Sequence, residues 1–183
     1  MFMKSEGIEM DARNNLGQNR NRSACDSRGA SQNRQGQSAP PKRAFADGEA
    51  EALPANFVDV AQVALNRVAR KHYRDNNGQE RWDFNITTSK IRKLLGLVID
   101  IYNAEHRRTE ETLLEKSVLA VQMARVHIVY EAGRDAAVRQ FVEASKLLPY
   151  IKGIGNSRAN LIRYTQYLEA LVAYHRYMGG KEN

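Results

Sequence analysis

Cysteine is all but missing from this chain: Cys25 stands alone among 183 residues. A lone thiol cannot close an internal disulfide, so a stapled secreted scaffold is excluded, and so are structural zinc sites built on several cysteines. Long apolar runs are missing too. No stretch approaches the roughly 18 consecutive apolar residues of a membrane-spanning helix. Near the start, Phe2, Ile8 and Leu16 are separated by polar residues, which is not the basic-then-apolar pattern of a secretory leader. The expectation is a soluble, cytoplasmic protein with one folded domain and no membrane partner.

Catalytic signatures are also absent. There is no GxxxxGK[ST] phosphate loop and no GxGxxG following a strand. None of His72, His106, His127 and His175 has a glutamate three residues before it, so the Glu-x-x-His pairs of di-iron bundles are lacking. His127 and Glu131 share a helix face, an arrangement that a surface pair explains better than a metal. Cys25 has no histidine near it in sequence to act as its base. The chain reads as a non-enzyme without metal or cofactor.

What is present divides in two. From Gly17 to Ala44 the sequence contains no Val, Ile, Leu, Met, Phe, Tyr or Trp. Such a stretch cannot bury enough apolar surface to offset the entropy of ordering it, about 1–2 kcal/mol per residue. Residues 1–54 are therefore read as a disordered, Gln/Asn/Ser/Arg-rich tail. Its arginines (Arg13, Arg20, Arg22, Arg28, Arg34, Arg43) keep it solvated or touch a polyanion. Residues 55–183 hold 60 apolar residues, all eight tyrosines and the only tryptophan, enough for one core. They carry 20 basic against 14 acidic residues, which is +6 of the chain's +7.

The periodicity of this second part predicts an all-α five-helix bundle. The first helix is expected over 57–76, ending at Asn77-Gly78. The second is capped by Thr88 or Ser89 and buries Ile91, Leu94, Leu95, Val98, Ile99 and Tyr102. The third, opened by Thr109 or Thr112, is apolar on most of its circumference and is expected at the centre. A fourth runs from Asp135 to about Leu148, and Ser157 caps a fifth that ends at Gly179-Gly180. No alternating strand pattern competes.

The basic residues fall in groups. On the first helix Arg67, Arg70, Lys71 and Arg74 fall at i, i+3, i+4 and i+7 and form one positive stripe. Lys90, Arg92 and Lys93 cluster at the start of the second, where cations oppose the helix dipole and backbone amides face outward, which points to an external anion. Arg125 sits among Val118, Val121, Ile128 and Val129, so it must snorkel, pair with a carboxylate or face a ligand. Arg134 complements a helix end or meets a phosphate. A solvated polar face is the bland explanation for each group. IKGIGNSRANLI at 151–162 looks like the Gly-rich turn of a helix-hairpin-helix module, whose amides hold phosphates. Among the late tyrosines (Tyr164, Tyr167, Tyr174, Tyr177), Tyr167 and Tyr174 lie off the core stripe and are expected to be free for a partner such as unpaired bases.

Three segments carry a family resemblance: ITTSKIRKLLGLV at 86–98, VYEAGR at 129–134 and YLEALVAYHRYMGGK at 167–181. Together they resemble the small helical subunit of type III-A CRISPR (Csm) effector complexes, over about residues 57–181; residues 1–54 have no counterpart. The resemblance implies a non-catalytic protein whose copies stack head to tail beside the backbone subunits. They line the channel that holds CRISPR RNA paired with target RNA. RNA cleavage belongs to the backbone subunits and cyclic oligoadenylate synthesis to the large subunit. Phosphate contacts are then expected from Lys90, Arg92, Lys93, Arg125 and Arg134, with Arg67, Arg70, Lys71 and Arg74 as further candidates. A helix-hairpin-helix DNA-binding protein and a helical adaptor that binds acidic proteins stay open beside it.

Overall fold

The computed structural model describes residues 48–183. Cys25, the arginines of the polar segment and most of the stretch read as a disordered tail lie outside those residues. The described chain is helical as expected, but it differs in two ways from five helices alone: among the described residues there are six, and a short β-hairpin is inserted after the first.

Helix α1 (Phe57–Val68) buries Ala61, Ala64, Leu65 and Val68 at helical spacing and then stops. It ends eight residues before the expected end, because Ala69 turns extended and the Arg70 amide donates to the Asp83 carbonyl at 2.9 Å. Strands β1 (Lys71–Arg74) and β2 (Glu80–Asp83) pair antiparallel, with His72 opposite Trp82 and Arg74 opposite Glu80. Asp75 closes the turn: its carboxylate accepts from the amides of Asn77 and Gln79, each at 2.9 Å. The Gln79 amide is the main reason that its carboxyl is held below the ordinary aspartate range. Gly78 takes φ +76°, a left-handed conformation that glycine adopts without strain.

Helix α2 (Thr88–Glu105) follows, capped by the Thr87 hydroxyl, and turns Thr88, Ile91, Leu94, Val98, Ile101 and Glu105 inward. Helix α3 (Glu115–Arg134) does not occupy the centre as expected. Its inward face is mostly small (Ser117, Val121, Ala124, Ile128, Ala132), while Leu119, Met123, Val126 and Tyr130 are exposed. With mostly small residues turned inward, several larger side chains of α3 lie outside. Helix α4 (Ala136–Ala144) is capped by Asp135, and α5 (Leu147–Lys152) is separate from it. The predicted fourth helix breaks where Ser145 bonds back to the Phe141 carbonyl at 2.6 Å and Lys146 takes φ +51°. Helix α6 (Arg158–Tyr177) begins at its expected cap, Ser157, and packs against α1 and α2.

Two segments outside the helices are tied down. Residues 48–54, placed with the tail by composition, lie against α5. The Glu51 amide donates to the Pro149 carbonyl at 3.0 Å and the Glu51 carboxylate pairs with Lys146 at 2.9 Å. At the other end, residues 179–183 run back over the start of α2, where the amides of Thr88 and Ser89 donate to the carbonyls of Lys181 and Glu182 at 2.8 and 3.1 Å. Beneath this strap His175 is fully buried, its Nε2 donating to the Ile86 carbonyl at 3.1 Å and its Nδ1 accepting from the Thr88 hydroxyl at 3.0 Å. Burial pushes its pKa down and keeps the ring neutral. Gly180 packs on the imidazole so closely that an added Cβ would lie 2.1 Å from Cε1. No helix of the described residues is long and apolar enough to cross a membrane.

Candidate nucleic-acid interface

Three of the expected cations meet at one corner, where the first turns of α2 lie beside the end of α3 and the start of α4. Lys90 reaches the Asp135 carboxylate at 2.6 Å, and Lys93 reaches Glu131 at 2.9 Å. Arg134 approaches the other Glu131 oxygen at 3.7 Å and lies over the Tyr130 ring, 5.8 Å from its centroid. Asp135 also caps α4 through the amides of Ala137 and Val138, at 2.8 and 3.2 Å. Lys90, above all, holds the Asp135 carboxyl below its ordinary range.

This geometry redirects the electrostatics expected from the sequence. The cations at the start of α2 do oppose its dipole, but the compensating anions belong to the protein. The outward amides are taken as well: Thr88 and Ser89 by the C-terminal strap, Lys90 by the Thr87 hydroxyl and Ile91 by the Thr87 carbonyl. The helix terminus therefore offers no backbone phosphate cradle. What it presents is side-chain charge: Lys90 is half-exposed, and Lys93 and Arg134 expose more than half of their side chains.

The other expected residues lie elsewhere. Arg92 points to the strap, pairing with Glu182, which Arg176 also approaches at 3.4 Å. Arg125 is half-buried beside a groove of about 420 Å3 that it lines with Gln122, Val126 and Val129. At about 100° per residue, that edge of α3 lies roughly opposite Arg134. The stripe proposed for Arg67, Arg70, Lys71 and Arg74 does not exist, because α1 ends at Val68. Arg67 stays on the last turn of α1, beside a cleft that includes Lys146 and Tyr150. Arg70 bonds Asn85 at 2.9 Å, Lys71 is exposed on β1, and Arg74 pairs with Glu80 at 2.8 Å.

Two further expectations fail for geometric reasons. Tyr167 is fully buried and donates to the Ser145 carbonyl at 2.8 Å; of the other late tyrosines Tyr174 is half-buried and Tyr177 exposed. The Gly153–Gly155 turn also withholds its amides. Gly153 donates to Pro149, Ile154 to Ile151 and Gly155 to Lys152. Gly153 is glycine because the Glu51 backbone passes over it, 1.9 Å from where a Cβ would stand. Among the described residues no group of three or more His, Cys, Asp or Glu side chains is placed to hold a metal ion.

Comparison with known proteins agrees with the segments that carried the resemblance. The family model described as Csm2 Type III-A matches residues 64–181, from α1 through the strap. A protein named CRISPR system Cms protein Csm2 from Streptococcus thermophilus is 37% identical over 127 residues, covering 69% of this chain and 94% of the relative. The protein of the same name from Mycobacterium tuberculosis is 39% identical over 99 residues, 54% of this chain and 80% of its own length. The one from Enterococcus italicus is 35% identical over 111 residues, covering 58% and 79%. With the matched span running through every described helix, the chain belongs to the Csm2 family, the small subunit of the type III-A CRISPR Csm complex.

Proposed function

We propose that the protein is a non-catalytic, cytoplasmic subunit that lines the channel for paired guide and target RNA and holds the phosphate backbone without reading sequence, in defence against foreign nucleic acid. The observation that carries this reading is the α2–α3–α4 corner, where Glu131 and Asp135 hold Lys90, Lys93 and Arg134 in place with their heads at the surface. Positions that are fixed and charged, with no base-reading group, suit a partner whose sequence is recognised by base pairing rather than by protein. Arg92, Arg125, Arg67, Arg70, Lys71 and Arg74 lie away from this corner and are further candidates for phosphate contact.

The protein partners are the backbone and large Csm subunits and further copies of the chain. The exposed face of α3 supports that half of the reading. Leu119, Met123, Val126 and Tyr130 recur at alternating spacings of four and three, the narrow apolar seam against which another helix packs.

Binding of an RNA duplex to the full chain across a salt series tests the corner. The double variant Lys93→Ala/Arg134→Ala is expected to weaken binding and flatten the dependence of log K on log[salt], by about one unit of slope for each phosphate left without its cation. Unchanged affinity and slope would remove both residues from the interface.

A further inference from the structure

We infer that the groove between β2 and the end of α6 is a stacking site for an unpaired RNA base, held between Trp82 and Tyr177. This rests on the RNA-binding reading and adds a second ligand class to it, a single-stranded nucleotide rather than the duplex backbone. Tyr177 is 81% exposed, the highest exposure among the large apolar and aromatic side chains of the described residues. It stands at a ridge: on one side it lines a groove of about 460 Å3 with Gln62, Ala173 and Tyr174, and on the other a groove of about 600 Å3 with Gln79, Glu80, Arg81 and Trp82. The second groove is tethered, because the Trp82 amide donates to the Met178 carbonyl at 2.9 Å.

The hairpin supplies chemistry suited to a nucleotide. Alternate residues of a ribbon share a face, so the observed register puts His72, Arg74, Glu80 and Trp82 together. The His72 ring lies 4.5 Å from that of Trp82. Every residue of β1, Lys-His-Tyr-Arg, is exposed, although a two-stranded ribbon has little stability to spare for exposing a ring such as Tyr73. Aromatic faces accept any base, and the guanidinium groups of Arg74 and Arg81, held by Glu80 and Asp75 at 2.8 and 3.2 Å, stand beside them. A duplex keeps its bases stacked internally and has none to offer this groove.

Trp82 is the chain's only tryptophan, so its emission reports the groove. A short single-stranded oligouridylate added to the full-length protein is expected to change that emission saturably, whereas a blunt RNA duplex should bind without changing it. Tyr177→Ala should lower oligouridylate affinity about five- to a hundredfold, Tyr177→Phe should restore it, and neither should alter duplex affinity. Oligouridylate binding with no emission change, or with Tyr177→Ala as tight as the unsubstituted chain, would overturn the inference while leaving the duplex reading intact. Failure of both RNAs to bind would overturn both. An emission change caused by another Csm subunit and not by RNA would overturn it in favour of a protein contact.

Discussion

Helices α2 and α3 are nearly equal in length, 18 and 20 residues, yet they distribute their apolar residues in opposite ways. In α2 the large side chains Ile91, Leu94, Val98 and Ile101 are inside, and Arg92, Lys93 and Asp100 are outside. In α3 three of the five inward positions are Ala or Ser, and Leu119, Met123, Val126 and Tyr130 are outside. Apolar content alone makes α3 look like the central helix; side-chain size on the inner face places it at the edge. A peripheral helix that is more apolar than its position requires is a helix with an unfilled contact, and that is why the protein-partner half of the proposal is put on α3.

The sharpest way to break this contrast is one substitution made in both helices. Leu94→Ala is expected to cost about 2–5 kcal/mol of stability, whereas Leu119→Ala should stay within about 0.5 kcal/mol; urea denaturation of each variant compares them. Equal costs would put Leu119 in the core. Met123→Glu should likewise spare the fold and yet reduce incorporation into the assembled Csm complex, measured by co-purification.

The joint between the two helices should respond next. Glu105 is fully buried at the end of α2, accepts from the Leu114 amide at 3.1 Å and pairs with Arg108 at 2.6 Å. Burial pushes its carboxyl up, but hydrogen bonds from Ser117, Arg108 and Leu114 outweigh this and hold it below the ordinary glutamate range. Glu105→Gln should cost about 1–3 kcal/mol. Because the folded-state pKa is depressed, the carboxylate's contribution is complete above the ordinary glutamate range and is lost as pH falls through the folded value.

His175, under the start of α2, has a smaller effect at a higher pH. Its folded pKa is also depressed, so stability declines as pH falls below about 6.5, and thermal melts of His175→Gln should lack that first decline. The smallest expected change is at the polar corner. Lys93→Ala removes a largely exposed lysine and leaves Arg134 beside the Glu131 carboxylate at 3.7 Å, so stability should fall by less than about 1 kcal/mol even where RNA binding weakens.

The parts of the fold written in short-range patterns are legible in the sequence. The inward stripe of α2 and the Ser157 cap of α6 are set by residues within a turn of one another. The hairpin is not, because β1 is exposed along its whole length and so carries no alternation to detect. Helical periodicity runs on through Arg70, Lys71 and Arg74 until the pairing with residues 80–83 overrides it. The corner is half legible. Its cations stand out in the sequence, but their partners Asp135 and Glu131 lie 45 and 38 residues from Lys90 and Lys93, beyond the reach of any local rule. Tyr167 escapes a local reading because the stripe through Tyr164, Leu168 and Leu171 is narrower than the buried face of α6, which α1 and α5 widen.

The strap over α2 bears on the order in which the molecule is made. The amide of Thr88 waits for a carbonyl 93 residues further along, a delay of roughly 5–20 s at ordinary rates of chain elongation. Until then the first turn of α2 has only its Thr87 cap, and the pocket that His175 fills stays empty. Arg92 likewise waits for Glu182, so the first turn of α2 reaches its final arrangement only after synthesis has passed the glycines at 179 and 180.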